Sequence, residues 1–463
     1  MRPAPRFRGG RHDARSLALQ VLLDCARHDA FIQEALDRRL ADSGLAPADR
    51  GLTTQLAYGT LRRRATLLAL LEPLVSRPRH QVEPWLWEAL ALGACQLALL
   101  SHVPAHAAIH ETVELAVLYG RPGAKGFLNA ILRALAALLT AEEAPGPAAD
   151  ALPLEQGRYR RLARPVLPEP TTHPVEYLAA GFALPAWLVL RWLERYGREE
   201  CIRLGFWFAG PAPLTVRCNP LRTSRESLLA AWASAGITAE PGEQPQAVRL
   251  RDAGPVRELP GYEQGWFSVQ DESAMRVAPA LGLTPGQSVL DLCAAPGGKA
   301  THLAEQMQDR GRVVACDVDD RRLANVATLA ARLGLRSLET CRLFPERDEA
   351  LPPGPFDAAL VDVPCSNTGV LGKRPEVRQR LRPGDLGELV ALQARLLRMA
   401  IWAVRPGGAV VYSTCSIEPE ENGGVVRAVL AEVPGLVLEA EEESVPGKPA
   451  DGGYWARLRR QEG

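Results

Sequence analysis

From Asp13 to about Thr140, apolar residues recur at three- and four-residue spacing: Ala14, Leu17, Val21, then Leu36, Leu40, then Leu86, Leu90, Leu97, then Ile109, Val113, Val117. That period lays an apolar stripe along each of several helices, so residues 1–140 are predicted to form an all-α bundle. Gly126-Phe127-Leu128-Asn129 opens a further helix through Ala136, with Arg133 toward the surface. Over 141–170 the period lapses into Pro, Ala and Glu, which reads as a linker. Residues 171–275 mix signals: a helix from Leu184 to Tyr196 with Trp187, Leu190 and Leu193 on one side, a strand Leu214 to Cys218, a helix Arg225 to Ala235 and a strand Ala247 to Leu250. A small α+β module fits them.

From Gln287 short apolar runs alternate with helical periods. Strands are predicted at Ser288–Leu292, Arg312–Cys316, Phe356–Asp362 and Ala409–Tyr412, and helices at Ala300–Gln308, Arg321–Leu333 and Leu386–Val404. Residues 276–463 therefore read as a doubly wound, Rossmann-like α/β domain. A chain of 463 residues with 47% hydrophobic content can bury the cores this multidomain plan needs.

Charge changes the picture only locally. Basic and acidic residues balance at 54 each, yet residues 1–140 carry 17 Arg plus Lys against 12 Asp plus Glu. The arm Arg2, Arg6, Arg8, Arg11, Arg15 suits a phosphate backbone, with a solvated tail as the competing reading. Four lysines accompany fifty arginines, which reads as genome composition and makes Lys299, inside a glycine motif, conspicuous. Nine cysteines without a C-x-x-C pair argue against a disulfide framework or zinc site and for reduced thiols in the cytoplasm. No signal peptide and no apolar stretch of membrane-spanning length is seen, so no membrane partner is expected. His102, His106 and His110 stand four residues apart, but Pro104 interrupts them and no Cys or carboxylate completes a set; no metal is expected.

The candidate chemistry lies after the strands. Asp291-Leu292-Cys293-Ala294-Ala295-Pro296-Gly297-Gly298-Lys299 follows the first, where glycines admit a ligand close to the backbone and helix-start N–H groups face it. Its spacing is neither G-x-G-x-x-G nor a Walker A loop, which disfavours a dinucleotide or a triphosphate, and hence a dehydrogenase. Asp317 ends the second strand, where a carboxylate accepts from ribose hydroxyls, or else caps the following helix. Cys365 in Asp362-Val363-Pro364-Cys365-Ser366 and Cys415 in Thr414-Cys415-Ser416 each follow a buried strand on the face of the glycine loop. They suit covalent catalysis, whereas Cys25, Cys95, Cys201 and Cys218 read as core.

Three segments together, 291–299, Asp-Val-Pro-Cys-Ser-Asn-Thr-Gly at 362–369 and Thr-Cys-Ser-Ile-Glu-Pro-Glu-Glu-Asn at 414–422, resemble motifs I, IV and VI of the S-adenosylmethionine-dependent RNA cytosine-C5 methyltransferases. The helical region resembles the NusB fold, and Leu214 to Ser224 with Val269-Gln270-Asp271-Glu272-Ser273 resembles that family's middle module. The resemblance implies a class I methyltransferase domain, S-adenosyl-L-methionine as cofactor and RNA as substrate. Cys415 would attack C6 of the cytosine, Asp362 would hold its amino edge and N3, and Cys365 would help remove the C5 proton. Cys293, Ala294, Ala295, Pro296, Gly297, Gly298 and Lys299 would cradle the methionine end of the cofactor, Asp317 its ribose, with Asp362 also on the cofactor side. Lys299 would stabilise charge near the substrate. The NusB-like start favours 16S rRNA, with an unpaired or flipped cytosine as target, and a monomer is expected; the same chemistry on tRNA, or a catalytically silent RNA-binding protein, are the rival readings. Phosphate contacts would come from Arg374, Arg378, Arg380 and Arg382, unless that run is a solvated helix face. One departure matters, since no residue from Leu338 to Leu343 matches the acid that usually contacts adenine; Val363 for the usual alanine and Asn367 for the usual Gly or Ala after Ser366 are mild changes.

Overall fold

The computed structural model describes residues 13–461 except 29, 156, 212, 252–253 and 345–350; Arg2, Arg6, Arg8 and Arg11 of the basic arm lie outside the described residues. The chain divides into two compact units, one ending at residue 212 and including Leu371–Leu381, the other comprising Pro213–Val370 and Arg382–Gly463.

In the first unit the predicted bundle forms, with helices from Ala14–His28 to Lys125–Leu138 around Leu19, Leu56, Leu90, Leu128 and Leu132. Trp85 stacks on Tyr119 at 5.4 Å, one of the larger apolar contacts in that core. The expected linker is instead a three-stranded antiparallel sheet, Leu139–Ala144 and Ala151–Pro153 flanking Tyr159–Leu162. Strands of three to six residues are too short to show a period, and few apolar side chains, Ala144, Ala151 and Tyr159 among them, are buried here. The helices Pro174–Phe182 and Ala186–Ala209 also belong to this unit, the second kinking at Gly197, whose φ is +77°.

The arginines assigned to RNA phosphates are largely spent on this packing. Arg378 is buried, and its guanidinium donates to the carbonyls of Arg62 (2.8 Å), Phe182 (3.0 Å), Leu371 (3.2 Å) and Phe208. Arg380 donates to Ala30 O at 2.7 Å, and Arg374 lies over the Phe31 ring at 4.8 Å. A run of arginine looks the same in sequence whether its partners are phosphates or backbone carbonyls. Only the packing distinguishes them.

The second unit begins with a four-stranded antiparallel sheet in the spatial order Ala239–Pro241, Ala247–Leu250, Leu214–Cys218, Phe267–Val269. Ser224 caps the helix Arg225–Ser234 by accepting from Ser227 N at 3.1 Å, and Trp232 packs edge-on against Phe267. Beside it lies a seven-stranded sheet: β1 Ser288–Asp291, β2 Arg312–Asp317, β3 Leu338–Arg342, β4 Phe356–Asp362, β5 Val404–Thr414, β6 Leu436–Ser444 and β7 Gly453–Arg460. Its order is β3-β2-β1-β4-β5-β7-β6, with the first five parallel and β7 antiparallel to both neighbours. The order reverses between β1 and β2 on one side and β4 and β5 on the other, so a crevice opens beyond the carboxyl ends of β1 and β4.

The two sheets of this unit are pinned by a buried ion pair. Arg217, from Leu214–Cys218, donates to both carboxylate oxygens of Glu305 at 2.8 Å, and also to Thr301 Oγ1 at 3.1 Å and Gly298 O at 2.8 Å. Glu305 lies on the helix Gly298–Gln306 that follows the glycine loop. One guanidinium thus holds the start and middle of that helix.

Candidate active site

Parallel pairing places Asp362 of β4 opposite Ser413 of β5. The chain then leaves both strands at the same edge of the sheet, and three residues on one side and two on the other bring Cys365 and Cys415 together. Their sulfurs are 3.0 Å apart. They differ in environment: Cys365 is buried, while Cys415 is partly exposed. The contact with Cys415, burial and the nearby Glu421 carboxylate all push the Cys365 thiol well above its ordinary value. Cys415 Sγ donates in turn to Asn367 Oδ1 at 3.3 Å.

A buried carboxylate ties the two loops together. Glu421 accepts from Ser366 N (2.8 Å), Ser416 Oγ (2.5 Å), Gln393 Nε2 (2.9 Å) and Ser366 Oγ. Four donors converge on this fully buried carboxylate and fix both loops to it. Sequence reasoning missed Glu421; its only signal was its place in the segment after Cys415, and Glu420 beside it is exposed.

Lys299 Nζ meets Asp362 Oδ2 at 2.6 Å, and Ser413 Oγ donates to Asp362 Oδ1 at 2.7 Å. Burial works against the Lys299 ammonium, but the charge and hydrogen bond of Asp362 outweigh it and leave its pKa above the usual lysine value. Asp362 is thereby fixed with one face toward the cysteines' edge of the sheet, each oxygen keeping a lone pair for another donor.

The glycine loop runs from the end of β1. Gly297 has φ +106° and a Cβ there would lie 3.1 Å from Val326 Cα, so the turn requires glycine. Arg322 clamps the loop by donating to Ala295 O at 2.9 Å while pairing with Asp317 at 3.2 Å. Asp317 does not cap the next helix: that is done by Asp319, which accepts from Arg321 N and Arg322 N. Cys293 turns its thiol into the surroundings of the sheet core, where burial and then the Asp291 charge push it upward, so the loop offers backbone rather than sulfur at that position. Asp291 itself is fully buried, and neither carboxylate oxygen finds a well-formed hydrogen bond among the described residues. Burial, then the charge of Asp362, raises it to about 8. At the end of β3, where no acid stands, Arg342 pairs with Asp320 at 2.5 Å; Val318 and Phe344, just past the ends of β2 and β3, are exposed apolar groups.

All the predicted site residues thus lie along one edge of one sheet, the cysteines, Asp362 and Lys299 at β4 and β5, the loop 293–298 and Asp317 at β1 and β2. Residues 278–450 match the family 16S rRNA methyltransferase RsmB/F, residues 12–137 the NusB family, and residues 184–257 the Methyltr_RsmF/B-like, ferredoxin-like domain. A probable ribosomal RNA small subunit methyltransferase B of Synechocystis sp. is 35% identical over 90% of this chain and 89% of its own length. This chain belongs to the RsmB/F family of methyltransferases. The corresponding probable methyltransferase B of Bacillus subtilis is 33% identical over 91% of this chain and 88% of its own. The crystal structure of PH0851 superposes with a TM-score of 0.77 over 96% of this chain and 98% of that one, at 24% identity, a likeness of fold. The all-α start is a NusB domain, the middle sheet is ferredoxin-like, and the seven-stranded sheet belongs to the methyltransferase domain, as the sequence motifs implied. Among the described residues no cluster of metal ligands occurs and no helix is long and apolar enough to cross a membrane.

Proposed function

We propose that this methyltransferase transfers a methyl group from S-adenosyl-L-methionine to C5 of a cytosine in 16S rRNA, through a covalent bond between Cys415 and C6. The observation that carries the reading is the asymmetric thiol pair: two sulfurs 3.0 Å apart, of which Cys415 is the accessible one and Cys365 the buried one held protonated. A nucleophile must reach the ring, and a group that removes a proton late in the reaction must first be kept out of it.

The residues present fit the cofactor. Asp291 presents a buried carboxyl without a well-formed hydrogen bond among the described residues beside the loop 293–299, suited to an ammonium group; the start of the helix Gly298–Gln306 suits a carboxylate; Asp317 suits ribose hydroxyls. Val318 and Phe344 supply an apolar wall for adenine in place of the missing acid. When bound, the cofactor supplies an electrophilic methyl group. Cys415 Sγ gives its thiol proton to solvent as it bonds to C6, which makes C5 electron-rich, while Asp362, backed by Lys299, accepts from the cytosine amino group. After methylation the Cys365 thiol gives its proton to the departing Cys415 sulfur, its neighbour at 3.0 Å, and takes the C5 proton in its place, while the C6–Sγ bond breaks and the C5–C6 double bond returns. A base stacked inside a duplex cannot reach Cys415, so the target is an unpaired or flipped nucleotide.

Incubation with unmodified 16S rRNA and labelled cofactor, followed by mapping of 5-methylcytosine, tests the reaction. Cys365→Ala should accumulate a denaturation-resistant protein–RNA adduct and Cys415→Ala none. Equal trapping by the two variants would refute the division of roles.

A further inference from the structure

Asn367 has φ +57°, a left-handed backbone that glycine adopts freely and asparagine tolerates better than other side chains. Glycine would satisfy the turn. Asparagine adds an amide, and both of its ends are used: Nδ2 donates to Cys365 O at 2.8 Å, and Oδ1 accepts from Cys415 Sγ at 3.3 Å. The first bond fixes the amide by tying it to its own loop. The second therefore falls on the sulfur from a fixed direction, beside the contact that Cys365 makes at 3.0 Å.

We propose that Asn367 is a positioning residue that holds the Cys415 sulfur in place through an acceptor aimed at its S–H. This rests on the reading of Cys415 as nucleophile. An acceptor aimed at S–H favours the protonated form. The other groups facing the thiol come from different elements: Lys299 with Asp362 from the glycine-loop helix and β4, Cys365 from the same loop as Asn367, and Glu421 from the turn behind it. Of these only Asn367 and Cys365 touch the sulfur among the contacts found.

The two informative substitutions act oppositely at one site. Asn367→Gly keeps the backbone conformation and removes the acceptor; Asn367→Asp keeps the shape and sets a negative charge beside the sulfur. In the full-length protein, peptide-resolved alkylation of Cys415 by iodoacetamide is followed from roughly pH 6 to 10. The midpoint should move down in Asn367→Gly and up, by about one pH unit or more, in Asn367→Asp. Methyl transfer in Asn367→Gly should lose about tenfold in kcat, with KM for the cofactor unchanged, as the sulfur leaves its orientation. Any other pattern of midpoints, including coincidence with the parent or movement in one direction, overturns the proposal. Alkylation does not require turnover, so it is independent of the nucleophile reading; that reading would fail separately, through methyl transfer by Cys415→Ala.

Discussion

Replacing Arg217 with Met should loosen the second unit as much as truncating one of its large buried apolar side chains. The Arg217 and Glu305 side chains are 0% and 1% exposed, and Arg217 satisfies both Glu305 oxygens, Thr301 Oγ1 and Gly298 O. Its loss strands a buried carboxylate, which costs about 3–5 kcal/mol. For a unit of this size each kcal/mol shifts the melting temperature by roughly 2–4 °C, so a fall of about 6–20 °C is expected by calorimetry. The deficit should depend on pH with a defined sign. Burial already raises the Glu305 pKa against the opposing effect of Arg217, and without Arg217 it rises further. A carboxyl whose folded pKa exceeds its unfolded value loses stability as pH rises above the unfolded value, so the variant should be closer to the parent near pH 5 than near pH 8. Adding Glu305→Leu should recover most of the loss. A single variant within about 1 kcal/mol of the parent at pH 8, or a double variant no more stable than the single one, would refute the reasoning.

Three further outcomes follow from the geometry. Asp317→Asn and Phe344→Ala should each weaken S-adenosylmethionine binding by about tenfold, or 1.4 kcal/mol, in calorimetric titration, and unchanged affinity would displace the ribose or adenine placement. Arg378→Met should destabilise the first unit by about 2–4 kcal/mol by leaving several carbonyls without a donor, yet leave the salt dependence of RNA binding unaltered; a slope lowered by about one would restore it as a phosphate contact. Dilute peroxide should couple Cys365 to Cys415, the two thiols giving two electrons and two protons to form a disulfide and water. Activity should fall with the loss of two titratable thiols and return with dithiothreitol; inactivation with both thiols intact would contradict the 3.0 Å contact.

Much of the methyltransferase domain was legible because parallel strands buried on both faces announce themselves as apolar runs. Phe356–Asp362 and the strand Leu214–Cys218 have the bounds their patterns predict. The outer hairpin was not legible: Leu436–Ser444 carries Glu439, Glu441, Glu442 and Glu443 along an exposed edge, and its strand character comes from pairing with β7 rather than from its own pattern. The residues proposed for the chemistry could be placed from motif and position, since they follow strand ends. Those that hold them could not. Glu421, Asn367 and Arg217 are polar residues whose work depends on partners that are distant in sequence, such as Ser366 for Glu421 at 55 residues and Glu305 for Arg217 at 88. Arg378 shows the converse, a charged side chain that sequence places on a surface and folding places among carbonyls.

The strand that delivers Cys415 has an order of assembly built into it. On its inner side β5 pairs with β4, made earlier in the chain; on its outer side it waits for β7, where Thr414 meets Tyr454 and Tyr412 meets Ala456. At translation rates of about 5–20 residues per second, the forty residues between Thr414 and Tyr454 leave that edge bare for roughly two to eight seconds. In that interval Cys415 follows an open strand margin able to pair with a neighbouring chain. The antiparallel return of β7 closes the margin, so Cys415 acquires its finished surroundings only after a later stretch of polypeptide has folded back beside its strand.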